Sequence, residues 1–343
     1  MRQKLPKILV TGGAGFMGSA FVRRLCGEGS RPSHFSAYSR DLSPIVVDKL
    51  TYAGDLARLG EIKGKYKFYR ADIADENRIE SIFRKEKPQI IVNFAAESHV
   101  DRSIKDPVSF IKTNIIGTQV LLDISRKYGV SKFIHISTDE VYGDIRKGKF
   151  NEDSPLRPSS PYAASKAAAD LLIKSYIRTF NFPAIIIRPC NNYGPWQYPE
   201  KLIPLSILKI LRGEKVPVYA RGKNIREWLY VEDCAQGILK IMEKGRIGEI
   251  YNLGSGQERE NLEVIKSIFD VLHASKDAIR FMKDRPGHDI RYRLDSRKVF
   301  KEIDWKPEIK FEIGIRLTVE WCLQHKNWLL EKWKDIAPLY KNE

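Results

Sequence analysis

The sequence predicts an α/β fold in which a doubly wound parallel sheet carries a smaller C-terminal lobe. Short runs around residues 7–11 and 89–94 are almost continuously apolar and rich in β-branched side chains, which is typical of strands buried on both faces. Amphipathic segments separate such runs; residues 106–128, for example, lie between the run at residues 89–94 and a further run at residues 132–137. Strands that alternate with helices form right-handed βαβ units and hence a parallel sheet.

Near Arg188 the sequence changes from regularly alternating strand and helix patterns to shorter elements, and this change divides the chain into two parts. The 343 residues are enough for about two domains. We expect residues 1–188 to form the sheet domain, with a later segment around residues 226–252 returning to it. Residues 189–343, where asparagine, glycine and proline interrupt shorter elements, are expected to form mainly the smaller lobe and to close with a helix over residues 311–330.

Composition and charge narrow the class of protein. Apolar residues make up 43% of the chain, which supplies a sizeable core, and no apolar run reaches the roughly 18 residues of a membrane span. The chain opens without a secretory leader, so we expect a cytoplasmic protein with no membrane partner. The formal net charge of +16 suits anionic ligands. Basic residues are scattered and no nucleic-acid motif occurs, so we expect no nucleic-acid partner.

The sulfur and imidazole groups show no pattern typical of a metal site. Cys26, Cys190, Cys234 and Cys322 lie far apart and form no CxxC pair, which favours reduced thiols. The six histidines lack metal-ligand spacing as well. We therefore predict no bound metal.

A glycine-rich turn follows the first predicted strand and precedes an apolar helix. Gly12, Gly15 and Gly18 have the spacing GxxGxxG, which lets the backbone approach a pyrophosphate at the helix N-terminus. In this context the motif predicts a Rossmann-like dinucleotide site. Asp48 ends the second strand, where a carboxylate can hydrogen-bond a ribose 2′-hydroxyl, which favours NAD over NADP. The interval before Asp48 is long because of residues 27–43, which we interpret as a surface loop.

Two groups of side chains are candidates for acid–base chemistry. Tyr162 and Lys166 lie four residues apart on one face of a predicted helix, where an ammonium lowers the pKa of a phenol so that it can act as a base. Thr138, Asp139 and Glu140 follow a predicted strand, whose carboxyl end faces the ligand in a doubly wound sheet. Adjacent carboxylates there are a candidate acid and base. The alternative is a helix cap or a solvated turn.

Several segments of the chain together form a known pattern. They are Thr11–Gly18, Ala95–Ser103, Thr138–Gly143, Tyr162-x-x-x-Lys166, Asn191–Pro195, Pro199–Pro204, Arg226–Asp233 and Arg285–Asp289. Over about residues 7–320 the chain resembles the extended short-chain dehydrogenase/reductase superfamily and, within it, the dTDP-glucose 4,6-dehydratase family. The triplet Thr-Asp-Glu distinguishes the dehydratases from related epimerases and decarboxylases, since those enzymes carry other residues at the carboxylate positions.

The resemblance implies an NAD-dependent hydro-lyase of deoxysugar biosynthesis that acts on a nucleotide-activated hexose. Tyr162, assisted by Lys166, would take the proton of the sugar 4-hydroxyl, which Thr138 hydrogen-bonds, while hydride leaves C4. Glu140 would remove the C5 proton, and Asp139 would protonate the departing 6-hydroxyl. The hydride then returns to C6 and gives a 4-keto-6-deoxy sugar. Asp139 should have a raised pKa beside Glu140, because two nearby carboxyls resist joint ionisation.

The resemblance also implies which residues line the two ligand sites. The residues expected to bind NAD are Gly12, Gly15, Phe16, Met17, Gly18, Asp48, Lys49, Thr51, Asp72, Ile73, Ala95, Ala96, Thr113, Tyr162, Lys166 and Asn192. The residues expected to bind the nucleotide sugar are Ser98, Thr138, Asn191, Lys201, Leu202, Arg226, Asn261, Arg285 and His288.

Alternatives stay open at this point. The scaffold also suits a nucleotide-sugar 4-epimerase or decarboxylase, and more remotely a non-catalytic dinucleotide- or nucleic-acid-binding protein. Asp72 either reaches the adenine ring or caps the next helix. Departures from the family pattern at Cys190, Trp196 and Cys234, and the long loop before Pro44, leave the nucleotide base undecided. The particular hexose is open as well. A homodimer through the helices at residues 106–128 and 161–180 is expected from the resemblance.

Overall fold

The computed structural model describes residues 5–27, 42–275, 277–284 and 287–340. Most of the predicted surface loop at residues 27–43 therefore lies outside the described residues, as does Arg285. The strands are β1 (Ile8–Thr11), β2 (Ile45–Asp48), β3 (Lys67–Arg70), β4 (Ile90–Asn93), β5 (Lys132–Ile136), β6 (Ala184–Pro189), β7 (Asn191–Tyr193), β8 (Val216–Tyr219), β9 (Ile225–Tyr230), β10 (Ile250–Leu253), β11 (Glu258–Glu260) and β12 (Ile279–Met282). The α-helices are α1 (Phe16–Leu25), α2 (Glu76–Glu86), α3 (Val100–Lys105), α4 (Pro107–Phe110), α5 (Gly117–Lys127), α6 (Pro161–Phe180), α7 (Leu202–Leu211), α8 (Val231–Lys244), α9 (Asn261–Leu272), α10 (Arg297–Ile303), α11 (Phe311–Gln324) and α12 (Lys326–Ile336).

A parallel sheet of seven strands has the order β10-β6-β5-β4-β1-β2-β3. The chain runs outward from β1 to β3, returns to β4 and then runs outward in the other direction, so the order reverses between β1 and β4. In such a sheet the carboxyl ends of the strands on either side of the reversal open a crevice for ligands. The predicted doubly wound parallel sheet is confirmed.

Alternating side chains of the central strands fill a hydrophobic core on each face of this sheet. In β1, Ile8 and Val10 belong to one core and Leu9 to the other. Helices α1 and α8 contribute to the first core, and α2, α5 and α6 contribute to the second. Burial on both faces explains why these strands read as continuous apolar runs.

The remaining strands lie above the carboxyl edge in two small sheets. One has the order β11-β9-β7 and the other pairs β12 with β8. The first packs with α7, α9 and α11 around a separate core that includes Trp228, Val264 and Ile315. The second packs on α9 in a smaller cluster that includes Val216 and Phe269. The carboxyl edge of the large sheet therefore faces a second layer, which encloses the space where polar side chains converge.

The C-terminal helical region differs from the prediction. One helix was expected over residues 311–330, but the helix ends at Gln324 and α12 starts at Lys326. The break is at His325, whose ring stacks on Trp321 at 4.2 Å between centroids. The redirected α12 reaches the large sheet domain, because Trp328 Nε1 donates a 2.8 Å hydrogen bond to Asp55 Oδ2.

The described residues contain neither a membrane-spanning helix nor a metal-binding cluster. Every helix there is too short or too polar to cross a bilayer. No group of three or more His, Cys, Asp and Glu side chains in that part of the chain is arranged to hold a metal ion.

Candidate active site

Two adjoining clefts open at the carboxyl edge of the large sheet. The glycine cleft, about 220 Å³ in volume, is bounded by the turn after β1 and by the ends of β2, β3 and β4. The lobe cleft, about 350 Å³ in volume, lies between α3 and the small sheets. Gln197, Glu200 and Lys201 line both clefts, so the two spaces share one border.

The residues predicted to bind the dinucleotide meet in the glycine cleft with one exception. Those that line it are Gly12, Gly15, Phe16, Met17, Gly18, Asp48, Lys49, Thr51, Asp72, Ile73, Ala95, Ala96, Thr113, Tyr162 and Lys166. Asn192 lines the lobe cleft instead. Ser98, which was expected to meet the sugar, lines the glycine cleft.

The glycine turn is shaped by close backbone packing. Gly12 has φ +64°, and a Cβ there would lie 2.6 Å from the backbone nitrogen of Ala95. A Cβ on Gly18 would collide with the carbonyl oxygen of Gly12. Larger residues are therefore excluded at both positions. No side chain caps the N-terminus of α1 at Gly15, which leaves the first amides of the helix for an anionic group.

Asp48 and Asp72 form the far wall of the glycine cleft. Asp48 Oδ2 accepts a 2.9 Å hydrogen bond from the Ala14 amide, and burial raises the pKa of its carboxyl. Asp72 Oδ2 pairs with Lys49 Nζ at 2.7 Å. The interpretation of Asp72 as a helix cap is wrong, because α2 is capped by Asp75.

Tyr162 and Lys166 are positioned by the start of α6. Ser160 caps this helix by accepting a hydrogen bond from the Ala163 amide at 3.1 Å, and Pro161 occupies its first turn. Lys166 Nζ is buried and donates a 2.7 Å hydrogen bond to the Ile136 carbonyl of β5. Burial lowers the pKa of Lys166 to about 8.

The expectation that the ammonium lowers the pKa of the Tyr162 phenol is wrong for this structure. Burial and, after it, the nearby Glu140 carboxylate raise that pKa, whereas a hydrogen bond with Thr138 opposes the rise. Lys166 Nζ donates to the Ile136 carbonyl and lies 3.1 Å from Nε2 of His135. The spacing placed both side chains on one face but could not show where the ammonium points.

Thr138, Asp139 and Glu140 follow β5 and open a 3₁₀ turn over Asp139–Tyr142. Thr138 is the cap of that turn, since its Oγ1 accepts a hydrogen bond from the Glu140 amide at 3.2 Å. The two carboxylates are therefore not used as helix caps. Glu140 lines the lobe cleft.

Asp139 is 2% exposed, next to Glu140 in the chain, and lines neither cleft. Its Oδ1 accepts a 3.3 Å hydrogen bond from the Thr138 hydroxyl, and Oδ2 has no hydrogen-bond partner among the described residues. Burial raises the pKa of Asp139 well above its usual value, and Glu140 raises it further. The expected rise is confirmed, with burial as its larger cause. A carboxyl of this kind is suited to donate a proton.

The lobe cleft collects the residues predicted to bind the nucleotide sugar. Those that line it are Asn191, Lys201, Leu202, Arg226, Asn261 and His288. Thr138 is buried and does not line this cleft, and Arg285 lies outside the described residues. The Arg226 guanidinium is held over the Tyr292 ring at 4.3 Å, and its Nη2 donates to the Asp289 carbonyl at 2.9 Å. Such a fixed guanidinium suits a phosphate group.

Glu200 was missed by the sequence analysis although it lies in the quoted segment Pro199–Pro204. It is buried at the border of the two clefts, accepts a 3.0 Å hydrogen bond from the Tyr52 hydroxyl and pairs with Arg102 at 3.2 Å. A glutamate between proline and lysine resembles a solvated turn. No periodic pattern in the sequence indicates that Glu200 connects the loop after β2 to α3.

The doubly wound sheet, the glycine turn and the Tyr-x-x-x-Lys pair define an extended short-chain dehydrogenase/reductase. Residues 9–318 match the family described as GDP-mannose 4,6 dehydratase. A dTDP-glucose 4,6-dehydratase of Escherichia coli is 46% identical, with 94% of this chain and 95% of that protein covered. The chain therefore belongs to the sugar-nucleotide 4,6-dehydratase family, with dTDP-glucose 4,6-dehydratases as close relatives.

Solved structures agree with this placement. The dTDP-glucose 4,6-dehydratase DesIV of Streptomyces venezuelae, with NAD and TYD bound, is 44% identical with a TM-score of 0.90, over 95% of this chain and 99% of that one. The UDP-glucose 4-epimerase of Thermus thermophilus, in complex with NAD, is 30% identical with a TM-score of 0.84, over 93% and 99% of the two chains. Dehydratases and epimerases thus share this scaffold, and the side chains at the carboxylate positions must distinguish them.

Proposed function

We propose that this protein is an NAD-dependent hydro-lyase that converts dTDP-glucose into its 4-keto-6-deoxy derivative. The observation that carries the proposal is the pair of carboxyls after β5. Asp139 is buried with a raised pKa, and Glu140 reaches the lobe cleft. An acid and a base one residue apart are what elimination of water across C5 and C6 requires.

The glycine cleft fits NAD. The turn at Gly12 and Gly18 leaves no room for side chains, and the uncapped start of α1 suits a pyrophosphate. Asp48 at the end of β2 suits a ribose hydroxyl and disfavours the 2′-phosphate of NADP. The chemistry that NAD supplies when bound is acceptance of a hydride from C4 and its return to C6.

Side chains of the protein carry out the proton transfers. Tyr162, at the border between the glycine cleft and Glu140, takes the proton of the sugar 4-hydroxyl. The resulting 4-keto group acidifies the C5 proton, which Glu140 removes and later returns. Asp139 gives its proton to the 6-hydroxyl, which leaves as water. Lys166 holds the end of β5 against α6 through its hydrogen bond to the Ile136 carbonyl.

The lobe cleft supplies the groups that an anionic nucleotide sugar needs. Lys201 and the fixed guanidinium of Arg226 suit the diphosphate. Asn191 directs a buried side-chain oxygen that has no partner among the described residues, so a ligand hydroxyl or amide can satisfy it. We assign residues 1–188, with the segment around 226–252, to cofactor binding and residues 189–343 mainly to the substrate.

Product mass tests the proposal. The protein with added NAD is incubated with dTDP-glucose, its UDP, CDP and GDP analogues and UDP-GlcNAc, and the products are identified by mass. We expect dTDP-glucose to yield a product lighter by one water that absorbs in strong base. A product of unchanged mass would indicate a 4-epimerase instead. Tyr162→Phe serves as the matched inactive variant.

A homodimer is part of the proposal. Apolar side chains stand exposed along α4, the turn after it and α6, with Val108 70% and Leu171 55% exposed. Exposed apolar patches of this kind suit a second copy of the chain. Sedimentation should give twice the chain mass, and Val108→Lys with Leu171→Lys should lower it to the monomer.

A further inference from the structure

A cluster of three side chains connects the walls of the two clefts. The hydroxyl of Tyr52, in the loop after β2, donates a 3.0 Å hydrogen bond to Oε1 of Glu200. Arg102 of α3 donates from Nε to the other oxygen of the same carboxylate at 3.2 Å, and its guanidinium carbon lies 3.7 Å from the centroid of the Tyr52 ring. We call these three residues the border triad. Each member contacts both of the others, although they come from three distant segments of the chain.

The loop after β2 forms one wall of the glycine cleft. Lys49 and Thr51 line that cleft next to Tyr52. Leu50 has φ +55°, a left-handed backbone conformation that is unfavourable for leucine. The loop therefore depends on outside contacts to keep its shape, and the Tyr52 hydroxyl makes one of them. Burial and, after it, the Glu200 carboxylate raise the pKa of Tyr52, so the phenol keeps the proton that it donates.

Glu200 is connected to the lobe cleft through its neighbours in the chain. Lys201 and Leu202 follow it directly and line that cleft. Lys201 Nζ also donates to the carbonyl of Ser98 at 3.1 Å, and Ser98 lines the glycine cleft. A diphosphate bound by Lys201 would therefore restrain the segment that carries Glu200. Because the Glu200 side chain is 2% exposed, loss of its bond to Tyr52 would leave a buried acceptor short of a partner until the border triad opens.

We propose that Glu200 is a positioning residue that couples the two clefts, so that a nucleotide sugar in the lobe cleft slows release of the dinucleotide from the glycine cleft. The dinucleotide leaves when the loop after β2 moves outward, and this movement breaks the bond between Tyr52 and Glu200. A diphosphate that holds Glu200 in place through Lys201 makes the movement less favourable. This inference rests on the proposed function.

Such coupling suits a reaction that passes through a reduced cofactor. The hydride taken from C4 resides on the dinucleotide until it returns to C6. Loss of the reduced dinucleotide in that interval would leave a 4-keto sugar that the protein cannot complete. A border triad that is held closed by the bound sugar nucleotide retains the cofactor during the interval in which its loss would do harm.

Release of labelled NAD tests the coupling in the holoenzyme. The protein is loaded with radiolabelled NAD and diluted into excess unlabelled NAD, with and without saturating dTDP, and the label that stays on the protein is followed with time. We expect dTDP to slow release by about tenfold in the wild type, which is within the range typical of coupled sites. Release at the same rate with and without dTDP would overturn the proposal, whatever the variants do.

Tyr52→Phe removes the hydroxyl and keeps the ring against the Arg102 guanidinium. We expect the ratio of the two release rates to fall to about one in this variant. Tyr69→Phe is the matched control, because the Tyr69 hydroxyl donates to the Glu86 carboxylate at 2.6 Å and neither residue lines a cleft. The control should keep the full effect of dTDP. An undiminished effect in Tyr52→Phe, or equal loss in both variants, would overturn the assignment to Glu200.

Failure of the proposed function gives a different result. Titration calorimetry of each holoenzyme with dTDP sets the saturating concentration and shows whether dTDP binds. Absence of binding to the wild type, together with absence of a 4-keto-6-deoxy product from dTDP-glucose, would overturn the proposed function and the coupling with it. Binding of dTDP without any effect on NAD release would overturn the coupling alone.

Discussion

The buried ion pair between Arg188 and Asp170 gives a prediction whose magnitude can be estimated from the structure. Arg188 Nε donates to Asp170 Oδ2 at 2.8 Å, and the side chains are 1% and 0% exposed. Arg188 Nη1 also donates to the Tyr142 hydroxyl at 2.7 Å. Arg188→Met would remove both bonds and leave the Asp170 carboxylate buried, with His135 Nε2 3.9 Å from its other oxygen.

Breaking a buried pair at one partner costs about 3–5 kcal/mol, because the remaining charge stays desolvated. We therefore expect Arg188→Met to lower the free energy of unfolding by that amount. Urea denaturation at a fixed concentration of NAD measures it, since bound ligand also stabilises the folded state. The double variant Asp170→Leu, Arg188→Met removes both charges and should recover most of the loss. A loss below about 1 kcal/mol for the single variant, or no recovery in the double variant, would refute the reasoning.

Three further predictions concern the site. Glu140→Gln should lower dehydration by about 10²–10⁴-fold while C4 oxidation persists, seen as accumulating reduced nicotinamide; dehydration at the normal rate would remove Glu140 as the base. Because burial lowers the pKa of Lys166 to about 8 from an ordinary value near 10.5, the unfolded chain binds a proton between these pH values that the folded chain does not. The free energy of unfolding should rise across that window in the wild type relative to Lys166→Met; a constant difference would contradict the shift. Trp328→Phe removes the hydrogen bond to Asp55 and should speed NAD dissociation severalfold in stopped-flow fluorescence, whereas Trp333→Phe on the same helix should not; equal rates in both variants would count against the contact.

The sequence predicted the sheet and the cofactor turn because both depend on local patterns. Continuous apolar runs identify strands buried on both faces, and Gly12 and Gly18 mark a turn that tolerates no side chain. The location of the side chains at strand ends could be predicted because the carboxyl ends of parallel strands meet at one edge of the sheet. These features need no knowledge of distant contacts.

The features that the sequence did not predict depend on contacts between distant segments. Glu200 lies at the cleft border because Tyr52 and Arg102 bind it, and neither is near it in the chain. The pKa of Tyr162 follows from burial and from Glu140, which helical spacing does not reveal. Helix α11 ends because the backbone of His325 leaves the helical region at φ −110° and ψ 30°, and the turn brings Trp328 to the distant Asp55.

The helix α12 connects the C-terminus to the cofactor turn. Trp328 and Lys332 both bind the Asp55 carboxylate, at 2.8 and 3.0 Å. Asp55 caps the 3₁₀ turn that carries Arg58, and Arg58 Nη1 donates to the Ala14 carbonyl at 2.9 Å. This helix lies beyond residue 318, where the family match ends. In a reaction that restores its own oxidant each cycle, exchange of the dinucleotide serves no purpose. We therefore expect α12 to slow the escape of NAD, at no cost in turnover.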